Sequence, residues 1–507
     1  MTSAQICILL AIVAYLMAML GVGFWFARKN NSVDDFYLGG RKLGPFVTAM
    51  SAEASDMSSW LLMGLPGVAY LTGLAEASWT AIGLAIGTYL NWLIVARRIR
   101  RYSIRLDAIT IPQFFSKRWG DDRNLLAAIA AVVIIVFFIP YTASGFSACG
   151  KLFSTLFGMD YMTAMLISAA VIVIYTVLGG FLAASFTDLV QSIIMTVALI
   201  VVLGFGVTKA GGMDAVMTNA RSMAGYLSLA NIYDPATGGS NPYSLLTICS
   251  LLAWGLGYFG MPHILVRFMA IEEEKKLTLS RRVATIWVVI SMSVAIFIGV
   301  VGNGMTKAGA LEELTDAETI IVRIASLISD HGVFAALLAG IILAGILAAT
   351  MSTADSQLLA ASSSVSQNLA VEFFGLNISG KESMLLARGV MVAIALVAAF
   401  LARDPNSSVF RVVSFAWAGF GAAFGPTVLF ALFWKRSNKW GALAGMITGG
   451  VMVFVWKYKI AAMGGAWAIY ELLPAFVAAS IAIVVVSLAT AKPSDTIQRI
   501  FDEVKNG

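Results

Sequence analysis

An all-α polytopic membrane protein is the fold class this sequence predicts, and three observations predict it. Of its 507 residues, 59% are hydrophobic and only 12% are charged. The mean hydropathy of +0.85 lies far above that of water-soluble domains. Apolar runs also recur along the whole chain at a length that matches a bilayer. A spanning helix needs about 20 apolar residues, because the hydrocarbon layer is roughly 30 Å thick and each helical residue rises about 1.5 Å.

Bounded by charge, Gly or Pro, these runs place helices at 5–26, 43–71, 76–98, 124–150, 161–183, 188–208, 244–266, 283–303, 319–364, 384–402, 408–434, 440–456 and 466–490, about thirteen in all. The first run begins MTSAQIC without a positive n-region, and Arg28 and Lys29 follow it, so it reads as a retained helix and not as a cleaved leader. Most of the 34 lysines and arginines fall in alternate loops: Arg28, Lys29, Arg41 and Lys42, the stretches from Arg97 to Arg123 and from Arg267 to Arg282, Lys381, Arg388, Lys435, Arg436, Lys439, and then Lys492, Arg499 and Lys505. The positive-inside rule puts these in the cytoplasm, with the N-terminus outside and the C-terminus inside, as an odd number of crossings requires. The loop after the eighth run is acidic instead (Glu312, Glu313, Asp316, Glu318), which suits the other side. The polar stretches 99–123 and 209–243 are only loop-sized, so 1–507 reads as a single transmembrane domain.

Several functions are excluded. Cys7, Cys149 and Cys249 lie far apart in apolar surroundings, and with only His263 and His331 beside them they offer neither a disulfide framework nor a zinc site. No Walker loop or dinucleotide fingerprint is present, so uphill work must draw on an ion gradient. The net charge of +6 is explained by the loops facing the cytoplasm, with the lipid bilayer as partner and no nucleic acid.

Polar residues inside the apolar runs carry the chemistry. An ionised side chain there costs about 2.5–3.5 kcal/mol on insertion scales, so a carboxylate in a span faces a cavity, an ion or a partner. The second run, TAMSAEASDMSSWLLMGLPG, sets Glu53, Ser55, Asp56, Ser58 and Ser59 between apolar flanks. Interrupted helices at the bilayer midplane expose carbonyl oxygens, and sodium is a hard cation that takes such oxygens together with hydroxyls and carboxylates. Asp56 is the leading candidate; the other reading makes it and the serines a hydrogen-bond network that packs helices. In the ninth run, LAATMSTADSQLLAASSS, Ser352, Thr353 and Asp355 either complete an oxygen cage or, for the hydroxyls, bond only to the carbonyl one turn back. Asp188, in AASFTDLVQS between the fifth and sixth runs, reads as an N-cap, a functional carboxylate, or both. The seventh run, WGLGYFGMPHILVRF, has Gly255, Gly257, Gly260 and Pro262 as helix breakers, with Trp254 and Tyr258 four apart on one face: an aromatic wall beside broken backbone, or ordinary packing.

These stretches resemble the solute:sodium symporter family. The similarity runs from DDFYLGGRKLGPFVTAMSAEASDMSSWLLMGLPG (34–67) through PYTASG (140–145), GGFLAASFTD (179–188), WGLGYFGMPHILVRFMA (254–270) and MSTADSQLL (351–359) to SFAWAGFGAAFGPTVLF (414–430). The resemblance implies a LeuT-like core of two inverted five-helix repeats, 43–208 and 244–434, with one extra helix before (5–26), two after (440–490) and a cytoplasmic tail (491–507), in a bacterial inner membrane. GYFGMPH and SFAWAGFGAAFGP resemble the branch that carries proline. The implied activity is therefore sodium-coupled uptake of L-proline by alternating access, with Na+ as coupling ion, no cofactor, no catalysis and no obligate protein partner.

Carried over residue by residue, the resemblance implies a sodium cage of the Ala54, Met57 and Ala349 carbonyls with the Ser352 and Thr353 hydroxyls. It implies a role in sodium affinity for Asp56, in gating or coupling for Arg41, in sodium release or coupling for Asp188, in ligand binding for Ser58 and its neighbour, and a substrate pocket of Trp60, Tyr141, Trp254, Tyr258 and Pro262. Three residues depart from the family pattern: Glu53 replaces a small or neutral residue, Ser59 a usual glycine, and Asp355 adds a carboxylate beside the Ser-Thr pair. Glu53 and Asp355 either add a cation or proton to the cycle or pair with donors elsewhere. The rival expectations are another small solute such as pantothenate, acetate or a sugar, and a non-transporting solute sensor, against which the short tail argues. A channel is disfavoured because no repeated pore-lining ring is evident.

Overall fold

In hydrocarbon every backbone N–H and C=O must be satisfied within the protein, so apolar runs of this length fold as helices. The computed structural model describes residues 2–27 and 33–506; Arg28 and Lys29 lie outside the described residues. Among the described residues, ten helices are long and apolar enough to cross a membrane, and eleven if Leu245–Gly260 and Pro262–Ala270, bent by 48°, form one broken span. The expected thirteen require in addition that Tyr161–Lys209 be two spans and that the interrupted segment from Pro45 to Thr72 cross as one. One small hairpin, Asn231–Asp234 paired with Gly239–Pro242, lies in the loop ahead of Leu245–Leu252.

The structure corrects three boundaries. Tyr161–Lys209 has 49 residues, about 74 Å at 1.5 Å per residue, more than twice the hydrocarbon layer. It breaks at Gly180 (φ 66, ψ −170), a left-handed φ that glycine adopts without a Cβ clash. The turn thus precedes the expected 184–187 junction, and Asp188 is not an N-cap but lies well inside the second half. The expected 319–364 helix also divides, with Ile320–Ser329 ending before Gly332 (φ 103) and Val333–Ser363 beginning after it. Arg267, counted with a basic loop from sequence, instead sits within Pro262–Ala270 and is 1% exposed.

The basic loops gather at one end. Arg101 pairs with Glu274 at 2.6 Å, Arg98 donates to the Leu432 carbonyl at 2.8 Å, and Lys435 and Arg105 reach Asp502 and Glu503 of the terminal helix Asp495–Asn506 at 2.5 and 2.9 Å. Leu125–Phe157 starts at this end, and near its other end Lys151 meets Asp316 and Glu318 of the acidic loop at 2.8 and 2.7 Å.

Helices approach closely where side chains are smallest, as association without a hydrophobic driving force requires. A Cβ on Gly87 would lie 2.3 Å from the Gly255 carbonyl oxygen, so Leu74–Leu90 touches the Ala253–Gly260 3-10 helix backbone to backbone. Gly87→Ala should therefore destabilise the protein by about 1–3 kcal/mol. Gly450→Ala, on an open helix face with nothing within 4 Å, should be neutral or slightly stabilising. Thermal unfolding in detergent checks both, and equal melting temperatures for the two variants would contradict the contact.

Candidate ion and solute site

Pro45–Ser59 starts on Pro45, whose missing N–H costs nothing at the first helical turn. It breaks at Ser58, held at φ 50 and ψ −172, a strained conformation for a residue with a Cβ. The Trp60 N–H turns back to the Met57 and Ser58 carbonyls and to Ser58 Oγ at 3.1 Å, and the chain continues as the π-helix Trp60–Gly64. Every residue from Thr48 to Ser59 is buried, so the break faces protein and not lipid.

Against it lies Val333–Ser363. The Ser352 hydroxyl donates to the Ala54 carbonyl at 2.8 Å, with the Ala349 carbonyl at 3.1 Å, and the Thr353 hydroxyl donates to Ala349 O at 3.2 Å. Four of the five expected cage oxygens are linked by these contacts; the fifth, Met57 O, lies one residue before the break and accepts from Trp60. Among the described residues no group of three His, Cys, Asp or Glu could hold a metal ion. What gathers here is neutral hard oxygen, the donor set of an alkali cation and not of a transition metal.

Aromatic residues lie on the other side of the same segment. Tyr258 donates its hydroxyl to Asp56 Oδ2, and Tyr141 donates to the Asp56 carbonyl at 3.1 Å. Asp56, Trp60, Tyr141, Trp254, Val413 and Trp417 line a tight cavity of about 10 Å³, room for a single water. Its wall is stacked: Trp60 lies 5.6 Å from Trp254 and 5.7 Å from Phe410, Trp254 lies 5.0 Å from Tyr470, and the Trp417 indole donates to the Trp254 carbonyl at 2.8 Å. Trp417, Phe410 and Tyr470 were not singled out from sequence; only Trp417 lay in a quoted stretch, SFAWAGFGAAFGP. Pro262 does not join this cavity. It begins the second half of the broken span, beyond the extended Met261, and lines another cavity, of about 30 Å³, with Tyr37, Thr110, Arg267 and Ser356.

A charged cluster sits next to the oxygen cage. Asp188 Oδ2 accepts from the Ser51 hydroxyl at 2.6 Å and from Arg267 at 3.2 Å. Arg267 also donates to Ser51 Oγ at 2.9 Å, the His263 carbonyl at 2.8 Å and Ser356 Oγ at 2.5 Å, and Ser356 lies 3.0 Å from Asp355 Oδ1. Glu53 points elsewhere, its Oε1 accepting from Thr88 and the Trp92 indole, each at 2.9 Å. The carboxylates that depart from the family pattern thus each have a protein donor on one oxygen, while Glu53 Oε2, Asp355 Oδ2 and the buried Ser59 hydroxyl have no hydrogen-bond partner among the described residues. Arg41 is remote from the cage: its guanidinium holds Ser103 Oγ and Met269 O at 2.9 Å and Ala108 O at 2.8 Å.

A model of the sodium:solute symporter family matches residues 36–449. The chain is 43% identical to a sodium/proline symporter of Haemophilus influenzae over 98% of this chain and 97% of that one. It is 42% identical to the sodium/proline symporter of Escherichia coli (96% and 94% covered) and 40% identical to an osmoregulated proline transporter of Bacillus subtilis (97% and 97%). Its fold is similar to that of a sodium-coupled sialic acid symporter solved in a substrate-bound, outward-open state, with a TM-score of 0.79 at 18% identity over 96% of this chain and 99% of that one. It is also similar to a nucleobase-cation-symport-1 family transporter in a closed conformation, with a TM-score of 0.55 at 14% identity over 92% and 98%.

Removing Arg267 should leave the Asp188 carboxylate buried without its cation, a loss of about 3–5 kcal/mol. Arg267→Met should lower the unfolding free energy in detergent accordingly, and adding Asp188→Asn should return most of it. A double variant no more stable than Arg267→Met alone would refute a direct ion pair.

Proposed function

The chain belongs to the sodium:solute symporter family, and on that premise we propose that it is a sodium-coupled importer of L-proline, a multi-pass protein of the bacterial inner membrane and not an enzyme. The observation that carries this reading is the contact of Ala54 with Ser352 beside the Ser58 break, because it gathers neutral oxygens next to a set of aromatic side chains. The proline-transporting relatives support the choice of cargo over pantothenate, acetate or a sugar. The two repeats are read as 43–208 and 244–434, each opening with a broken helix.

In this mechanism sodium enters the cage, and the Ser352 hydroxyl turns its lone pair from solvent-free packing toward the ion. The ion holds the Ala54–Met57 end of the broken helix against Val333–Ser363, which fixes Asp56 and Trp60. The indoles of Trp60, Trp254 and Trp417 then offer flat apolar faces to a pyrrolidine ring and a π-face to its ammonium. Tyr141 and Tyr258 supply hydroxyls at the pocket edge. Release toward the basic end passes the cavity lined by Tyr37 and Pro262, beside the Arg267 cluster. Because ion and solute share one ordered segment, each raises the other's affinity, typically by about 1–3 kcal/mol, and linkage makes the effect equal in both directions.

Uptake of radiolabelled proline into cells or proteoliposomes should be fast in sodium medium and near background in choline; matching rates in the two media would sink the proposal. An excess of unlabelled pantothenate, acetate or sugar should leave that uptake intact. Loss of a charge-bearing oxygen contact costs about 1.5–3 kcal/mol, so Ser352→Ala and Asp56→Ala should each raise the sodium concentration for half-maximal uptake roughly 10- to 100-fold. Glu312→Ala, in the acidic loop, should not; a similar shift in all three variants would remove Asp56 and Ser352 from the ion site.

A further inference from the structure

Where the basic end meets the apolar spans, another cavity, of about 360 Å³, opens between the first turns of Leu125–Phe157 and Lys439–Val455. That volume falls within the roughly 300–1,000 Å³ of small-molecule sites. Its lining has two unlike parts: Asp121, Arg123 and Lys439 are charged, whereas Leu125, Leu443 and the ring of Trp440 are apolar. Arg123 is exposed and has no carboxylate within 4.0 Å among the described residues. Lys439 stands 3.9 Å from Asp121 Oδ1, the outer limit of an ion pair, and 5.2 Å from the centre of the Trp440 ring. Asp121 is itself occupied, because its Oδ2 accepts the Leu126 N–H at 2.7 Å and so caps Leu125–Phe157. Asn438 caps Lys439–Val455 in the same way, its side chain accepting the Gly441 N–H at 2.9 Å. The attraction for an anion therefore comes from two side-chain cations set against one carboxylate, and not from bare helix ends.

Further into the membrane the same two helices turn apolar side chains outward. Val132 and Val136 follow Leu125 on one helix, Ile447 and Val451 follow Leu443 on the other, and all four are between 42% and 55% exposed. The helices meet along this stretch, where the Phe137 ring lies 5.7 Å from that of Phe454. Trp440, 47% exposed in the first turn of its helix, has the place of an interfacial indole, which favours the headgroup level of a bilayer. A free anion would engage the two cations and leave the apolar furrow unused. A molecule with a negative head and hydrocarbon chains engages both.

We propose that this cavity binds the headgroup of an anionic phospholipid from the leaflet at the basic end, with Arg123 and Lys439 on the phosphate and the acyl chains laid along Val132 and Ile447. Such a lipid fastens together two helices that are far apart in sequence. No residue of the oxygen cage or of the aromatic pocket lines the cavity, so its occupancy requires neither sodium nor solute.

Native mass spectrometry of the full-length protein in detergent tests this, by measuring the dissociation constant of the first bound lipid for phosphatidylglycerol and for phosphatidylcholine with the same chains. The wild type should bind phosphatidylglycerol about tenfold tighter or more, as two basic contacts imply. Arg123→Gln and Lys439→Gln should each weaken phosphatidylglycerol about fivefold, equivalent to about 1 kcal/mol. Phosphatidylcholine binding should stay unchanged in both variants, which also certifies their fold. Lys381→Gln removes an exposed positive charge outside this cavity and should leave phosphatidylglycerol binding at the wild-type level. Glycerol 3-phosphate, which has the headgroup charge without the chains, should fail to compete. Equal affinity for the two lipids, or a loss in Lys381→Gln as large as in the other two variants, overturns the proposal. Full competition by glycerol 3-phosphate marks a site for free anions and overturns the lipid assignment.

Discussion

One constraint organises this protein: a helix broken in the middle of a membrane leaves carbonyls and amides that lipid cannot satisfy, each costing several kcal/mol. The break at Ser58 is therefore surrounded by partners, and those partners come from different parts of the chain. Ser352 serves the Ala54 carbonyl, Tyr141 the Asp56 carbonyl, and Trp60 the Met57 and Ser58 carbonyls. Satisfying one irregular turn fixes the positions of Val333–Ser363 and Leu125–Phe157 relative to it. The second break, at Met261, sits beside Gly260, where a Cβ would stand 2.3 Å from the Phe420 carbonyl oxygen, so Val409–Phe433 is fixed to the second broken helix in the same way.

Both interruptions were legible in the sequence because their causes are local. Serines and carboxylates within apolar flanks marked the first, and three glycines ahead of a proline marked the second. The apolar runs gave the helices for the same reason, since length and hydropathy are properties of a single segment. What escaped was set by contacts distant along the chain. Asp188 reads from sequence as a cap, a functional carboxylate, or both, because the preceding residues AASFT resemble a junction, yet Gly180 takes the turn and Asp188 meets Arg267, 79 positions away. Arg267 looked like one more member of a basic loop; nothing in its neighbours announces a buried partner. Glu53 could not be resolved between an ion ligand and a bonded carboxylate until Thr88 and Trp92 were in place. The resemblance places Pro262 in the substrate pocket with Tyr258, but the extended residue between their helices carries it to a different cavity.

The Arg267 cluster and the oxygen cage are built on adjacent turns of the same two helices. Ser51 precedes Ala54 by three residues and Ser356 follows Ser352 by four, so each clamp residue stands about one 5.4 Å turn from its cage counterpart. Arg267 joins Ser51 to Ser356 directly and draws in Asp188 from a third helix. Such a buried ion pair adds little net stability, because desolvation offsets most of its Coulomb attraction, but removing one partner is costly. The cluster therefore acts less as glue than as a condition. The helices bearing the cage separate at this end only when all its members part together, so a half-open arrangement with one charge stranded is disfavoured.

That condition bears on how tightly two ligands can be linked. The stretch from Ala54 to Trp60 touches the oxygen cluster through its carbonyls and the aromatic side chains through Asp56 and Trp60, so on the proposed reading one strained turn, and not a long relay, separates ion from solute. Long relays spread a coupling free energy over many soft contacts, and their individual contributions are hard to localise. Here the strain of a non-glycine residue at φ 50, of the order of 1–3 kcal/mol, is comparable with a typical coupling energy. On the proposed reading, a cation that takes lone pairs from these carbonyls offsets part of the cost of holding the turn, and the same turn then presents Trp60 and the Asp56 carboxylate in fixed orientation. The magnitude of the coupling is thereby bounded by the cost of the turn, and any substitution that lets residue 58 relax into regular helix weakens both sites together.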